Sequence, residues 1–176
     1  LNKAQLIIVG YACPCRSSKL TDQPATHMNG QPTMTKPIPK SMTDGLNDLL
    51  GFQLVEWRSG YAVLEVELDD RHKNRQGGLH GGVTASMIDA VTGYCGIYEP
   101  DSGKRRGNVT VSLNINYISR HKGARLRATA ELIRAGRRLY FASARVTDEQ
   151  DTLIATAEAV YAYIEKQPDT GSAVSS

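Results

Sequence analysis

Between residues 42 and 164 the apolar positions change period in a way that lays out a fold. "SMTDGLNDLLGF" has helical spacing and predicts a short amphipathic helix with Ser41 or Thr43 as its cap. "FQLVEWRSGYAVLEVEL" alternates instead, with Ala62, Leu64, Val66 and Leu68 set against Val63, Glu65 and Glu67, and predicts two strands about a Ser59-Gly60 turn. Residues 82–98 form the one long helical run, rich in Gly, Ala, Ser and Thr. Four further strands are expected at about 108–118, 124–134, 138–148 and 152–164. In the first of these, Val109, Val111, Leu113, Ile115 and Tyr117 alternate with Thr110, Ser112, Asn114 and Asn116. The connecting turns "RHKG", "RAGR" and "DEQD" are short enough for antiparallel neighbours. The order is helix, two strands, long helix, four strands, with no internal repeat. An antiparallel sheet must cover its apolar face, and a helix of small residues can lie close inside a curved sheet. The expected class is α+β.

The two ends read differently. Residues 1–41 include the polar, proline-bearing stretch "SSKLTDQPATHMNGQPTMTKPIPK", whose composition is that of a disordered arm. The opening "LIIVGYAC" resembles a short signal or lipoprotein segment, but its apolar part is brief and only Lys3 precedes it. The simpler expectation is an arm, or upstream sequence before a true start at Met28, Met34 or Met42. The tail, residues 166–176, is also expected to be disordered, leaving 42–165 as one domain.

Composition narrows the partners. No apolar run approaches the roughly 20 residues of a membrane helix, so no membrane partner is expected. Cys13, Cys15 and Cys95 are an odd set without zinc spacing, which points to a reducing cytoplasm and to no metal site. The net charge of +3 conceals a strong asymmetry: residues 104–138 hold ten Lys or Arg and a single acid, Glu131. Such segregation fits either a polyanionic partner or an arginine-rich solvated strand face. Nucleic acid is disfavoured, because Tyr117 is the only aromatic residue in that basic segment and no recognition motif accompanies it.

Candidate chemistry concentrates in "NRQGGLHGGVTASMIDAVTG", residues 74–93. Gly81-Gly82 stands at the predicted helix start, where unpaired backbone N–H groups and the positive end of the dipole suit an oxyanion or a polarised carbonyl. Asp89 is a carboxylate among Met87, Ile88, Ala90 and Val91, able to act as base or nucleophile if that helix borders a pocket. Asn74, His80 and Thr110 are polar groups that could converge near it. Taken singly, each has an ordinary structural explanation: a turn, a solvent-facing acid, a hydrogen-bonded histidine.

Taken together, the run "NRQGGLHGG…D" resembles the motif of hotdog-fold acyl-CoA thioesterases of the PaaI-like group. The resemblance continues through "NVTVSLNINYISRHKGARLRATAELIRAGRRLYFASARV" and covers about residues 42–164. It implies a curved antiparallel sheet wrapped around one central helix, in the element order derived above. It also implies hydrolysis of a thioester to a carboxylate and coenzyme A, with no cofactor. Asp89 would activate water or attack the thioester. Gly81 N–H and the Asn74 side chain would polarise its carbonyl, His80 would support the site, and Thr110 would orient the nucleophilic water. Coenzyme A is polyphosphorylated, and Arg120, Lys122, Arg134, Arg137 and Arg138 lie in or beside turns where family members bind phosphates. Family members are homodimers with shared sites, often paired into homotetramers. A non-catalytic acyl-CoA-binding protein and a hydratase on the same fold remain as alternatives.

Overall fold

The structure, a computed structural model, describes residues 45–98 and 106–164. The arm, the tail, Cys13, Cys15 and the proposed caps Ser41 and Thr43 lie outside these residues. The described elements are α1 (Leu46–Leu49), β1 (Gln53–Arg58), β2 (Tyr61–Glu67), α2 (Gly81–Cys95), β3 (Gly107–Tyr117), β4 (Arg125–Ala135), β5 (Leu139–Asp148) and β6 (Leu153–Ile164), with a 3-10 turn at Asp70–His72. The first helix is shorter than its amphipathic pattern predicts. Gly45, at φ 73°, precedes it without a side-chain cap, and Leu46 and Leu49 stay exposed. The remaining elements fall within a few residues of the predicted spans.

Among the described residues the strands form one antiparallel sheet in the order β1-β2-β4-β5-β6-β3. β3 follows α2 in sequence but pairs at the far edge, so the helix crosses the sheet and packs on all six strands. Small side chains on the sheet make that packing close. Ala128, Ala130, Ala142, Ala144, Ala155, Ala157 and Ala159 line the inner face, and Met87, Ile88 and Val91 of α2 are fully buried against it. Truncating Met87 or Ile88 to Ala costs about 2–5 kcal/mol, because a core this tightly packed closes poorly over a cavity. At the helix C-terminus a Cβ on Gly96 would stand 2.2 Å from the Tyr140 ring, so only glycine fits there.

One register feature differs from the sequence pattern. β3 carries a bulge between Thr110 and Ser112. A straight strand would put Thr110 on the face opposite Leu113 and Ile115. The extra residue instead turns Asn108 and Thr110 toward α2 and leaves Leu113 and Ile115 packed against the core, while Val109 and Val111 are exposed.

Candidate functional site

The approach to α2 is a loop organised by its own side chains. Asn74 Oδ1 accepts from the backbone N–H groups of Gln76 and Gly78 at 2.9 and 3.1 Å, and Asn74 Nδ2 donates weakly to Leu79 O at 3.4 Å. Gly77 supplies the left-handed turn at φ 76°. Underneath, buried His72 locks the base of the loop: its Nδ1 accepts from Asp69 N at 2.9 Å, and its Nε2 lies 2.8 Å from Leu50 O. The His72 carbonyl then receives His80 N–H at 2.8 Å.

His80 is the N-cap of α2, its Nδ1 accepting from Gly82 N–H at 2.9 Å and its carbonyl from Val83 N–H at 3.0 Å. Gly82 and Val83 amides are thereby satisfied. The Gly81 amide has no acceptor among the described residues, and it sits at the positive end of a 15-residue helix. A cavity of about 500 Å³ opens beside it, lined by Asn74, Gly78, Gly81, Tyr117, Arg120 and His121 among others. Tyr117 and His121 were not anticipated from sequence. Tyr117 OH donates to Gly81 O at 2.9 Å, holding the first helical turn from the end of β3.

Asp89 lies two turns along, on the least buried stripe of α2 with Gly82 and Ser86. Its Oδ1 accepts from Thr110 Oγ1 at 2.7 Å and from Tyr161 OH at 2.9 Å. Tyr161 OH also lies 2.6 Å from the Asp89 carbonyl and 2.8 Å from Thr92 Oγ1. Thr110 and Tyr161 are cross-strand partners on β3 and β6, so the bulge that turns Thr110 inward is what gives Asp89 both donors. Thr110 thus meets the acid itself. Behind this group, Tyr140 stacks on Tyr161 with centroids 5.0 Å apart. Asn108 Nδ2 bonds both Tyr140 OH and Gly93 O. Burial drives the ionisation of Tyr140 and Tyr161 well above the ordinary phenol range, so both hydroxyls stay protonated donors. Tyr161, Tyr140, Asn108 and Thr92 escaped the sequence reading. Tyr140, Tyr161 and Thr92 carry polar groups at apolar-period positions of β5, β6 and α2, whereas Asn108 lies in the polar phase of β3 and gave no signal.

The structure does not gather all the predicted groups. Asn74, His80 and Gly81 share the cavity end of α2, whereas Asp89 and Thr110 sit about 12 Å further along an ideal helix. The basic residues also divide. Arg120 lines the cavity and Lys122 lies in the same loop, its backbone N–H held by Asp148 Oδ2 at 3.1 Å. Arg134, Arg137 and Arg138 are exposed on the β4–β5 hairpin at the opposite end of the sheet, roughly 33 Å of strand away. Among the described residues no cluster of His, Cys, Asp and Glu could hold a metal ion. No described helix is long and apolar enough to cross a membrane.

Comparison with known proteins gives this arrangement its relatives. Residues 76–155 match the family model described as the thioesterase superfamily. A mouse protein named acyl-coenzyme A thioesterase 13 is 31% identical over 88 residues, 49% of this chain and 61% of the mouse protein. The human protein of the same name is 30% identical over 116 residues, 64% of this chain and 81% of that protein. Among solved structures, thioesterase superfamily member 2 from zebra fish superposes with a TM-score of 0.61 at 29% identity, covering 69% of this chain and 90% of its own.

Proposed function

This chain belongs to the thioesterase superfamily, and we propose that it hydrolyses the thioester of an acyl- or aryl-CoA to a free carboxylate and coenzyme A. The observation that carries the reading is Asp89: the one charged residue of α2, on its half-open stripe, oriented by the Thr110 hydroxyl at 2.7 Å. In this mechanism the thioester carbonyl oxygen sits on the Gly81 amide, which is unspent and dipole-assisted. Asn74 Nδ2 assists, since its bond to Leu79 O is long. His80 contributes by fixing the helix start.

The two halves belong to different protomers of a homodimer. No thioester carbon can lie about 3 Å from groups at both places, and β3 offers the means to bring them together. It is an edge strand with one side unpaired among the described residues. Antiparallel pairing of two β3 strands about a two-fold axis sets the Asp89 end of one protomer beside the Gly81 end of the other. The same operation carries the partner's β4–β5 hairpin toward the cavity, where its arginines join Arg120 and Lys122 around the coenzyme A phosphates. On the face away from α2, Val109, Leu139, Phe141 and Ile164 are exposed and adjacent through Ala162. A second dimer covering them gives a homotetramer. A cytoplasmic setting fits Cys95, a buried free thiol whose ionisation burial pushes up to about 12. The expected domain is 42–165.

A thiol-release assay over short, medium, long and aryl acyl-CoAs tests the activity, and enoyl hydration measured beside it tests the hydratase alternative. Asp89→Asn is expected to fold and to lower kcat by roughly 10²–10⁴-fold, the usual worth of a positioned acid–base group. Near-parental turnover in that variant rules out Asp89.

A further inference from the structure

The two oxygens of the Asp89 carboxylate are not equivalent. Oδ1 accepts two hydroxyl donors, Thr110 Oγ1 at 2.7 Å and Tyr161 OH at 2.9 Å, while Oδ2 has no partner among the described residues. Tyr161 has one proton and lies against two acceptors of the same residue, Oδ1 and the main-chain carbonyl at 2.6 Å. It therefore ties the side chain of Asp89 to its own helix turn. Little freedom is left to Tyr161 itself. Its ring is buried and stacked on Tyr140 at an interplanar angle of 7°, and its oxygen accepts from Thr92 Oγ1 at 2.8 Å, which leaves its own proton for Asp89. Thr110 approaches from β3 and Tyr161 from β6, so rotation of the carboxylate about its Cβ–Cγ bond would break two charge-assisted bonds at once.

We propose that Tyr161 is a positioning residue for the reaction: with Thr110 it pins Oδ1 of Asp89 and leaves Oδ2 as the single oxygen that reacts. This rests on the reading of Asp89 as the reacting acid. Oδ2 takes a proton from water as that water's oxygen bonds to the thioester carbon. The C–S bond of the tetrahedral species then breaks, the carbonyl reforms, and the proton passes from Oδ2 to the departing sulfur. Oδ1 keeps both donors throughout, so the carboxylate need not reorient between the two proton transfers. A carboxylate free to rotate would spend part of its time with the wrong lone pairs toward the water, which lowers turnover without weakening substrate binding.

Tyr161→Phe and Thr110→Val are compared with the parent, Thr110→Ser and Asp89→Asn in steady-state thiol release, with thermal melting on each. The expectation is a fall in kcat of about tenfold for each single variant, the scale of one hydrogen bond to a charged group. KM stays within about twofold, the double variant falls about a hundredfold, and Thr110→Ser restores turnover. Thr110 is exposed, so Thr110→Val with its serine rescue still decides whether Oδ1 must be pinned if Tyr161→Phe fails to fold. Unchanged kcat in the folded variants alongside an inactive Asp89→Asn overturns the pinning but leaves Asp89 in place, and so does a change confined to KM. An active Asp89→Asn enzyme removes the premise and the proposal with it.

Discussion

The two ends of α2 spend their polar groups in opposite ways. At the start, one backbone donor is kept available: His80 takes the Gly82 amide, whereas Gly81 lines the cavity and its amide has no acceptor among the described residues. Around Asp89 almost nothing is spare. Thr110, Tyr161, Thr92, Tyr140 and Asn108 bond the Asp89 carboxylate, one another or the helix backbone, and among the described residues no buried side-chain polar atom lacks a partner. The first end is built to receive an oxygen from outside, the second to hold one group of its own in place. On the proposed reading neither is sufficient, and their separation along one helix is the reason for proposing a two-protomer site.

Subunit exchange tests that division with the largest signal. Asn74→Ala and Asp89→Asn proteins, each nearly inactive, are mixed under mild denaturation so that protomers re-pair. Random pairing makes half the dimers mixed, and each mixed dimer has one intact site and one doubly damaged site. Activity is expected to recover toward roughly a quarter of the parent, counting independent sites in an isologous dimer. If mass spectrometry confirms mixed dimers and activity stays at the level of the starting variants, both groups serve one protomer's site.

A smaller effect separates two glycines. A Cβ on Gly81 would meet the Tyr117 ring at 3.5 Å, an ordinary contact, and alanine is a good helix former. Gly81→Ala is therefore expected to melt at or slightly above the parent temperature. Its methyl group stands where the thioester oxygen must approach the amide, and turnover is expected to fall about a hundredfold, comparable to losing one oxyanion donor. Gly96→Ala does the reverse. Its Cβ would overlap Tyr140, and the overpacking costs about 1–3 kcal/mol. A destabilised Gly81→Ala protein would show that this glycine serves packing rather than substrate.

The same contrast explains what the sequence reveals. Strand alternation and short turns locate the sheet, and an acid amid apolar residues singles out Asp89, because both signals are local. The bulge in β3 is not local. It is one residue of slippage against β6, invisible in composition, yet it decides that Thr110 faces the helix. Tyr161 reads as another alternating apolar residue until its pairing with Thr110 is known. The basic segment shows the same limit. Its charges are continuous in sequence, but β4 runs the length of the sheet and delivers Arg120 and Arg137 to opposite ends.

That split gives the next prediction. Arg120→Ala is expected to raise KM for acyl-CoA about tenfold with kcat spared, because a phosphate contact binds ground and transition states alike. Arg137→Ala with Arg138→Ala should raise it less, and only through the partner's hairpin. Neither change should affect an acyl-pantetheine substrate that lacks the nucleotide. Equal losses on both substrates would make the arginines structural.

The smallest effect concerns His80, at the boundary between the open end and the loop that feeds it. Its only side-chain bond among the described residues is the cap to Gly82 N–H at 2.9 Å. Removing a side-chain cap costs about 1 kcal/mol, which lowers the melting temperature of a domain this size by roughly 3–6 °C. His80→Ala should show that loss. Asparagine is a strong N-cap, so His80→Asn should recover the stability. Turnover then discriminates between capping and chemistry. If His80 acts by fixing the helix start, the asparagine variant regains activity together with its melting temperature, because Gly82 is again occupied and the Gly81 amide keeps its direction. A variant that melts like the parent but turns over no better than His80→Ala would show that the imidazole has work beyond the cap.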